Sequence, residues 1–144
     1  MNLEGQGRRA VIADADRAVL ELLQVRLDLA GYRTFLARSG PAALDAVRTN
    51  RPAILILDLG LPEMNGLDVL RLLNPKRGPL PYPVLMMGRN LDPNTVREAA
   101  QYGVKGALAK PFSGADLVER VNRLFRPPTP VKPQPAGASA TALI

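Results

Sequence analysis

Apolar positions along the chain fall into five short runs separated by longer stretches of helical period. The runs are Ala10–Ala13, Tyr32–Ala37, Ile54–Leu57, Val84–Met87 and Gly106–Ala109. Each is bounded by turn-forming residues and reads as a strand. Ile54-Leu55-Ile56-Leu57 shows no alternation, the pattern of a strand buried on both faces. Between the runs, apolar residues recur every three or four positions. The spacing predicts a helix from about Arg17 to Ala30, carrying Val19, Leu20, Leu23 and Leu27 on one face. A second runs from Pro41 to about Thr49 through Ala43, Leu44 and Val47. A third opens at Asn65 or Gly66 and carries Leu67, Leu70, Leu72 and Leu73. A fourth starts at Pro93 with Val96, Ala99 and Ala100 inward, and a fifth buries Leu117, Val121, Leu124 and Phe125.

Start and stop signals agree with these elements. Ser39 and Asp92 are placed to cap helices, with Pro41 and Pro93 in the first turn. Ser113-Gly114-Ala115-Asp116 has the form of a capping box. Gly31 and Gly103 stand where a helix ends in the left-handed conformation. Five strand–helix units in alternation predict an α/β fold, a doubly wound five-stranded parallel sheet with helices on both faces. Right-handed crossovers then gather the carboxyl ends of all strands on one edge. That edge carries Asp14, Asp16, Asp58, Gly88 and Lys110. Open α/β sheets bind and react there.

The chain has 144 residues and is 47% hydrophobic, enough for a single folded core. One domain is expected over residues 9–126. Residues 1–8 read as a disordered N-terminus, and residues 127–144, rich in Pro and Ala with Lys132 as the one charge, as a disordered tail or linker. There is no Cys, which excludes disulfide and thiolate chemistry, and no His, which removes the usual general base and the commonest metal ligand. No apolar run approaches the roughly 20 residues of a membrane span. The first residues, MNLEGQGRRA, lack a leader's apolar core, so a cytoplasmic protein without membrane contact is expected. The net charge of +6 comes from scattered residues with few aromatics among them. That distribution fits a solvated surface and argues against direct nucleic-acid binding.

Two readings of the polar edge stand side by side. Carboxylates beside one lysine suit a hard cation with an anion. Mg²⁺ takes oxygen ligands and keeps several waters, so Asp14, Asp58 and the carbonyl of Gly60 would suffice. Asp58 could then act as a nucleophile on phosphorus, with Lys110 and the metal stabilising the transferring group. The other reading is a buried Asp58–Lys110 ion pair that closes the edge.

Roughly residues 9–126 resemble the receiver domain of bacterial two-component response regulators. The resemblance lies in four motifs in order: the acidic turn after the first strand, ILILDLGLPEMNGLDVL, PVLMM and GALAKPF. It implies the flavodoxin-like (CheY-like) strand order 2-1-3-4-5. It implies that Asp58 matches the phosphoacceptor, Asp14 the first acid of the metal-binding pair, and Lys110 the lysine of the site, with a cis bond to Pro111. The chain departs from the pattern in four places. Ala15 stands where the second, metal-ligating acid belongs, which weakens the metal site. Asp16 is acidic, but its side chain is expected to point elsewhere. Gly88 replaces the hydroxyl residue that bonds the phosphoryl group, Arg89 the small residue after it, and Ala107 the aromatic switch residue. Arg89 either faces solvent or folds over the acids in place of the metal.

These residues imply an atypical receiver: a signalling protein, not an enzyme, that works through protein contacts with little dependence on phosphorylation. Its expected partners are signalling proteins, a histidine kinase among them, with a homodimer through the Asn94–Phe125 face. One alternative is a conventional Mg²⁺-dependent switch phosphorylated on Asp58. A remote one is a small phosphatase built on Asp14-Ala15-Asp16.

Overall fold

The structure is a computed structural model that describes residues 7–125. Five strands and five helices alternate: β1 (Arg9–Ala13), α1 (Arg17–Leu29), β2 (Arg33–Ala37), α2 (Gly40–Asn50), β3 (Ile54–Asp58), α3 (Gly66–Leu73), β4 (Val84–Gly88), α4 (Pro93–Gln101), β5 (Val104–Ala109) and α5 (Gly114–Phe125). The sheet is parallel throughout, in the order β2-β1-β3-β4-β5. This is the expected fold, and element ends differ from the sequence reading by no more than two residues at most boundaries.

Alternate residues of the central strands feed two cores. Ile12, Ile54, Ile56, Leu85 and Met87 pack against Leu20, Leu23 and Leu27 of α1 and Leu117 and Val121 of α5. Val11, Leu55, Leu57, Val84 and Met86 pack against α2, α3 and α4. All five residues of β3 are buried, as its unbroken apolar run requires. The caps read at Ser39 and Asp92 form, accepting from the amides of Ala42 and Thr95, and Asn65 also caps its helix by accepting from Asp68. Ser113 and Asp116 make the reciprocal pair, at 3.0 and 3.1 Å. Gly31 and Gly103 both take positive φ. Asn74, just past α3, is buried, and its side-chain amide donates to the carbonyls of Gly78 and Tyr102.

Three expectations need correction. Leu72 is 48% exposed, and Val69 fills the core in its place, because the inward line of α3 is 66, 69, 70 and 73. On α4 only Ala99 is buried; Val96 and Ala100 face outward. The inward line runs through Thr95, Ala99 and Tyr102, and α4 is held partly by charge: Arg71 of α3 reaches both carboxylate oxygens of Glu98, at 2.9 and 2.8 Å. Finally, residues 7 and 8 are tied down. The Gly7 amide donates to Gly31 and the Arg8 carbonyl accepts from Arg33. Residues 1–6 and the expected tail at 127–144 lie outside the described residues.

Candidate functional site

At the carboxyl edge the strand ends surround a cleft of about 480 Å³. Each acid arrives at the end of a buried strand, so backbone pairing fixes its position. The amide of Asp14 donates to Ala37 of β2, that of Leu59, one past Asp58, to Met87 of β4, and that of Lys110 to Gly88. Asp14, Asp58, Gly60, Gly88, Arg89 and Lys110 all line this cleft. Ala107 does not; it sits half-buried on β5, and its carbonyl accepts from Arg120 of α5.

The lysine holds both acids. Lys110 Nζ lies 2.5 Å from Asp14 Oδ2 and 3.4 Å from Asp58 Oδ2. Its nearer partner is therefore Asp14, whereas the sequence reading paired it with Asp58 or a phosphoryl group. Asp14 is buried, and its other oxygen accepts the amide of Asp16. Burial pushes the Asp58 carboxyl above the ordinary carboxylate range, and the charge of Asp14 adds to the rise; Lys110 and the Gly60 amide oppose it. The Lys110–Pro111 bond is cis, as the resemblance implied.

The oxygens left for a cation are few. Both oxygens of Asp14 are engaged, and Ala15 contributes no side-chain oxygen. The Ala15 carbonyl accepts from Nε and Nη2 of Arg38, at 3.3 and 3.0 Å. Asp16 reaches the rim, but its Oδ1 caps α1 by accepting from Ala18 and Val19. Among the described residues no group of three or more acids gathers to hold a metal. Asp58 and the Gly60 carbonyl, with water in the remaining positions, are the groups that would hold Mg²⁺ here, without the second carboxylate that an acid at position 15 would supply.

Arg89 lines the cleft but is exposed and makes no ion pair or hydrogen bond among the described residues; the cation paired with the acids is Lys110. The space above Gly88 is taken by an apolar side chain. A Cβ at position 88 would lie 2.9 Å from Leu91 Cδ2. Sequence reasoning missed Leu91, and with it Asn65, Asn90 and Thr95, which line the same cleft. An apolar residue isolated in the polar loop between Gly88 and Asp92 was the available signal. Nothing in the sequence marks Arg38.

The family model of the response regulator receiver domain matches residues 10–122. The chain belongs to that family. Curated relatives of this receiver include the DNA-binding response regulator MtrA of Mycolicibacterium paratuberculosis, 35% identical over 83% of this chain and 52% of its own length. Another is the transcriptional regulatory protein KdpE of Mycobacterium tuberculosis, 33% identical over 81% of this chain and 50% of its own. The chain spans about half the length of the curated relatives it matches. Among solved structures, the chemotaxis protein CheY4 of Vibrio cholerae superposes with a TM-score of 0.74 at 24% identity, over 83% of this receiver and 99% of that chain. A response regulator of Chloroflexus aurantiacus gives 0.71 at 32% identity, over 82% and 97%. Receiver domains are signalling proteins that interact with histidine kinases and typically bind Mg²⁺ at the phosphorylation site. No helix among the described residues of this receiver is long and apolar enough to cross a membrane.

Proposed function

We propose that this receiver signals through protein contacts whose strength depends little on phosphorylation of Asp58. One observation carries the reading: Leu91 occupies the space above Gly88 where a phosphate-sensing hydroxyl would stand. A ligand shifts an equilibrium only through contacts that differ between two states. With neither a hydroxyl at position 88 nor a ring at position 107, a phosphoryl group on Asp58 has little to pull. The engaged oxygens of Asp14 and the missing carboxylate at position 15 support weak Mg²⁺ affinity in the same direction. The acting surface is the Asn94–Phe125 stretch, available to a signalling partner or a second copy of the chain in the cytosol. Amide spectra recorded with Mg²⁺ and acetyl phosphate test this. Small changes confined to the neighbours of Asp58 are expected; changes spreading through α4 and β5 would overturn it.

A conventional switch is the second reading. The retained geometry of Asp14, Asp58 and Lys110 favours it, since these residues stand together as phosphoryl chemistry would need. Labelling by a phosphodonor that disappears in Asp58→Asn and alters oligomeric state would select it.

A further inference from the structure

The amino-terminal end of β5 borders a second cleft, of about 610 Å³, away from the acids. Leu80 and Tyr82 of the α3–β4 loop form one wall, and Leu124 and Phe125 of α5 the other. Gly106 forms the floor. A Cβ there would lie 3.3 Å from Leu85 Cδ1 and 3.4 Å from Leu124 Cδ2, so any side chain would crowd the leucines or fill the cleft. Its depth depends on this glycine.

The polar lining has one sign. Among the described residues, Lys105, Arg120 and Arg123 line the cleft and no carboxylate does. Arg8 lies 5.5 Å from the centre of the Phe125 ring. Lys105 is exposed and has no ion-pair partner among the described residues. Arg120 donates to the Ala107 carbonyl and lies in the field of Asp116. Arg123 pairs with Glu119 at 2.5 Å, with both side chains more than half exposed, and such pairs exchange readily for a better partner.

We propose that this cleft is a docking groove for an acidic peptide segment of a partner protein that inserts apolar side chains between the α3–β4 loop and α5. Carboxylates of the segment would meet Lys105, Arg120 and Arg123, while its apolar side chains would cover Leu80, Leu124 and Phe125. Charge complementarity selects the sign, and the apolar walls select a peptide over a nucleic-acid backbone, whose phosphates would leave those walls wet. The proposal rests on the reading that partners meet the Asn94–Phe125 face, and it assigns the chemistry at one end of that face.

The test uses the full chain and a synthetic peptide alternating Glu with Leu and Phe. Comparison probes are its Lys-for-Glu counterpart, a Ser-for-Leu/Phe counterpart that keeps the acids, and a short DNA duplex. The first peptide alone is expected to bind, shifting the amide resonances of Lys105, Gly106, Leu124 and Phe125. Lys105→Glu combined with Arg123→Glu should weaken binding by about tenfold or more. Gly106→Val should abolish it; the surface pair keeps the test valid if that variant folds poorly. Equal binding of the Lys counterpart or the apolar-free peptide would overturn the proposal, as would tighter binding of DNA at the same residues. Shifts confined to Asn94, Val96 and Arg97 would overturn it while leaving the broader face reading intact. Absence of any shift would overturn the groove, and sedimentation of the chain alone would then judge the face as a self-association surface.

Discussion

The two clefts differ in how their charges are disposed. At the carboxyl edge, two buried acids share one amine, and the second oxygen of Asp14 accepts the amide of Asp16. At the amino edge of β5, three cations line an apolar groove with no acid among its described residues. At the first site the charges hold one another; at the second, Lys105 has no ion-pair partner among the described residues, while Arg120 and Arg123 are engaged by the Ala107 carbonyl and by Glu119. Buried charges are tolerated only when paired, so the first site has little freedom to change without cost. Lys105 and Arg123 are exposed, cost little to hold apart and can meet an incoming partner.

The largest test of that contrast removes the shared amine. Lys110→Ala should leave Asp14 and Asp58 facing each other and destabilise the chain by about 3 kcal/mol or more, read as a lowered urea midpoint. The loss should shrink in acid, where Asp58, whose pKa is raised, protonates. A loss below about 1 kcal/mol would mean that the nest is wetter than its burial indicates.

Asp58→Asn should act in the opposite direction. Folded Asp58 holds its proton more tightly than the unfolded chain does, because its pKa is raised. Its contribution is therefore fully present below the ordinary carboxylate pKa, about 4, and is lost as pH rises through the raised value. Asparagine suffers no such loss. Melting curves should show the variant more stable by about 2–5 °C at neutral pH and converging with the parent in acid.

A smaller effect sharpens the reading of the loop after β4. Gly88→Thr should cost about 1 kcal/mol, since its Cβ meets the tip of Leu91, a side chain able to move. Combined with Leu91→Ala, the cost should be less than the sum of the single changes. The same double variant, given Mg²⁺ and acetyl phosphate, should respond more than the parent if the missing hydroxyl is what silences the site. The smallest effect belongs to the Arg71–Glu98 pair, which is partly exposed on both sides. Glu98→Gln should cost less than about 1 kcal/mol and appear mainly as faster amide exchange across α4.

Much of this molecule could be read from the chain because its signals were local. The unbroken run at Ile54–Leu57, the caps at Ser39, Asn65, Asp92 and Ser113, and the glycines at 31 and 103 each act within a few residues. So does the placement of Asp14, Asp58 and Lys110 at strand ends, since the topology then brings them together. What stayed hidden depended on distance in sequence or on rotation about a helix. The phase of α4 is set by Tyr102 and by Arg71, which lies 27 residues from Glu98, and a helix whose candidate inward residues are Val and two alanines carries too weak an apolar stripe to fix it. The choice of Lys110 for Asp14 over Asp58, a matter of about an ångström, has no counterpart in pattern. Leu91 over Gly88 falls between these cases: the residue was conspicuous, but only the loop's path decides what it covers.

The side-chain amide of Asn74 joins the end of α3 to the end of α4. Proline follows it in the chain, and proline has no backbone N–H. Asparagines commonly age when the next residue's nitrogen attacks the side-chain carbonyl, releasing ammonia and leaving an acid. With Pro75 next in line that route is shut, so this tie between the two helices should outlast the exposed asparagines of the chain during long storage.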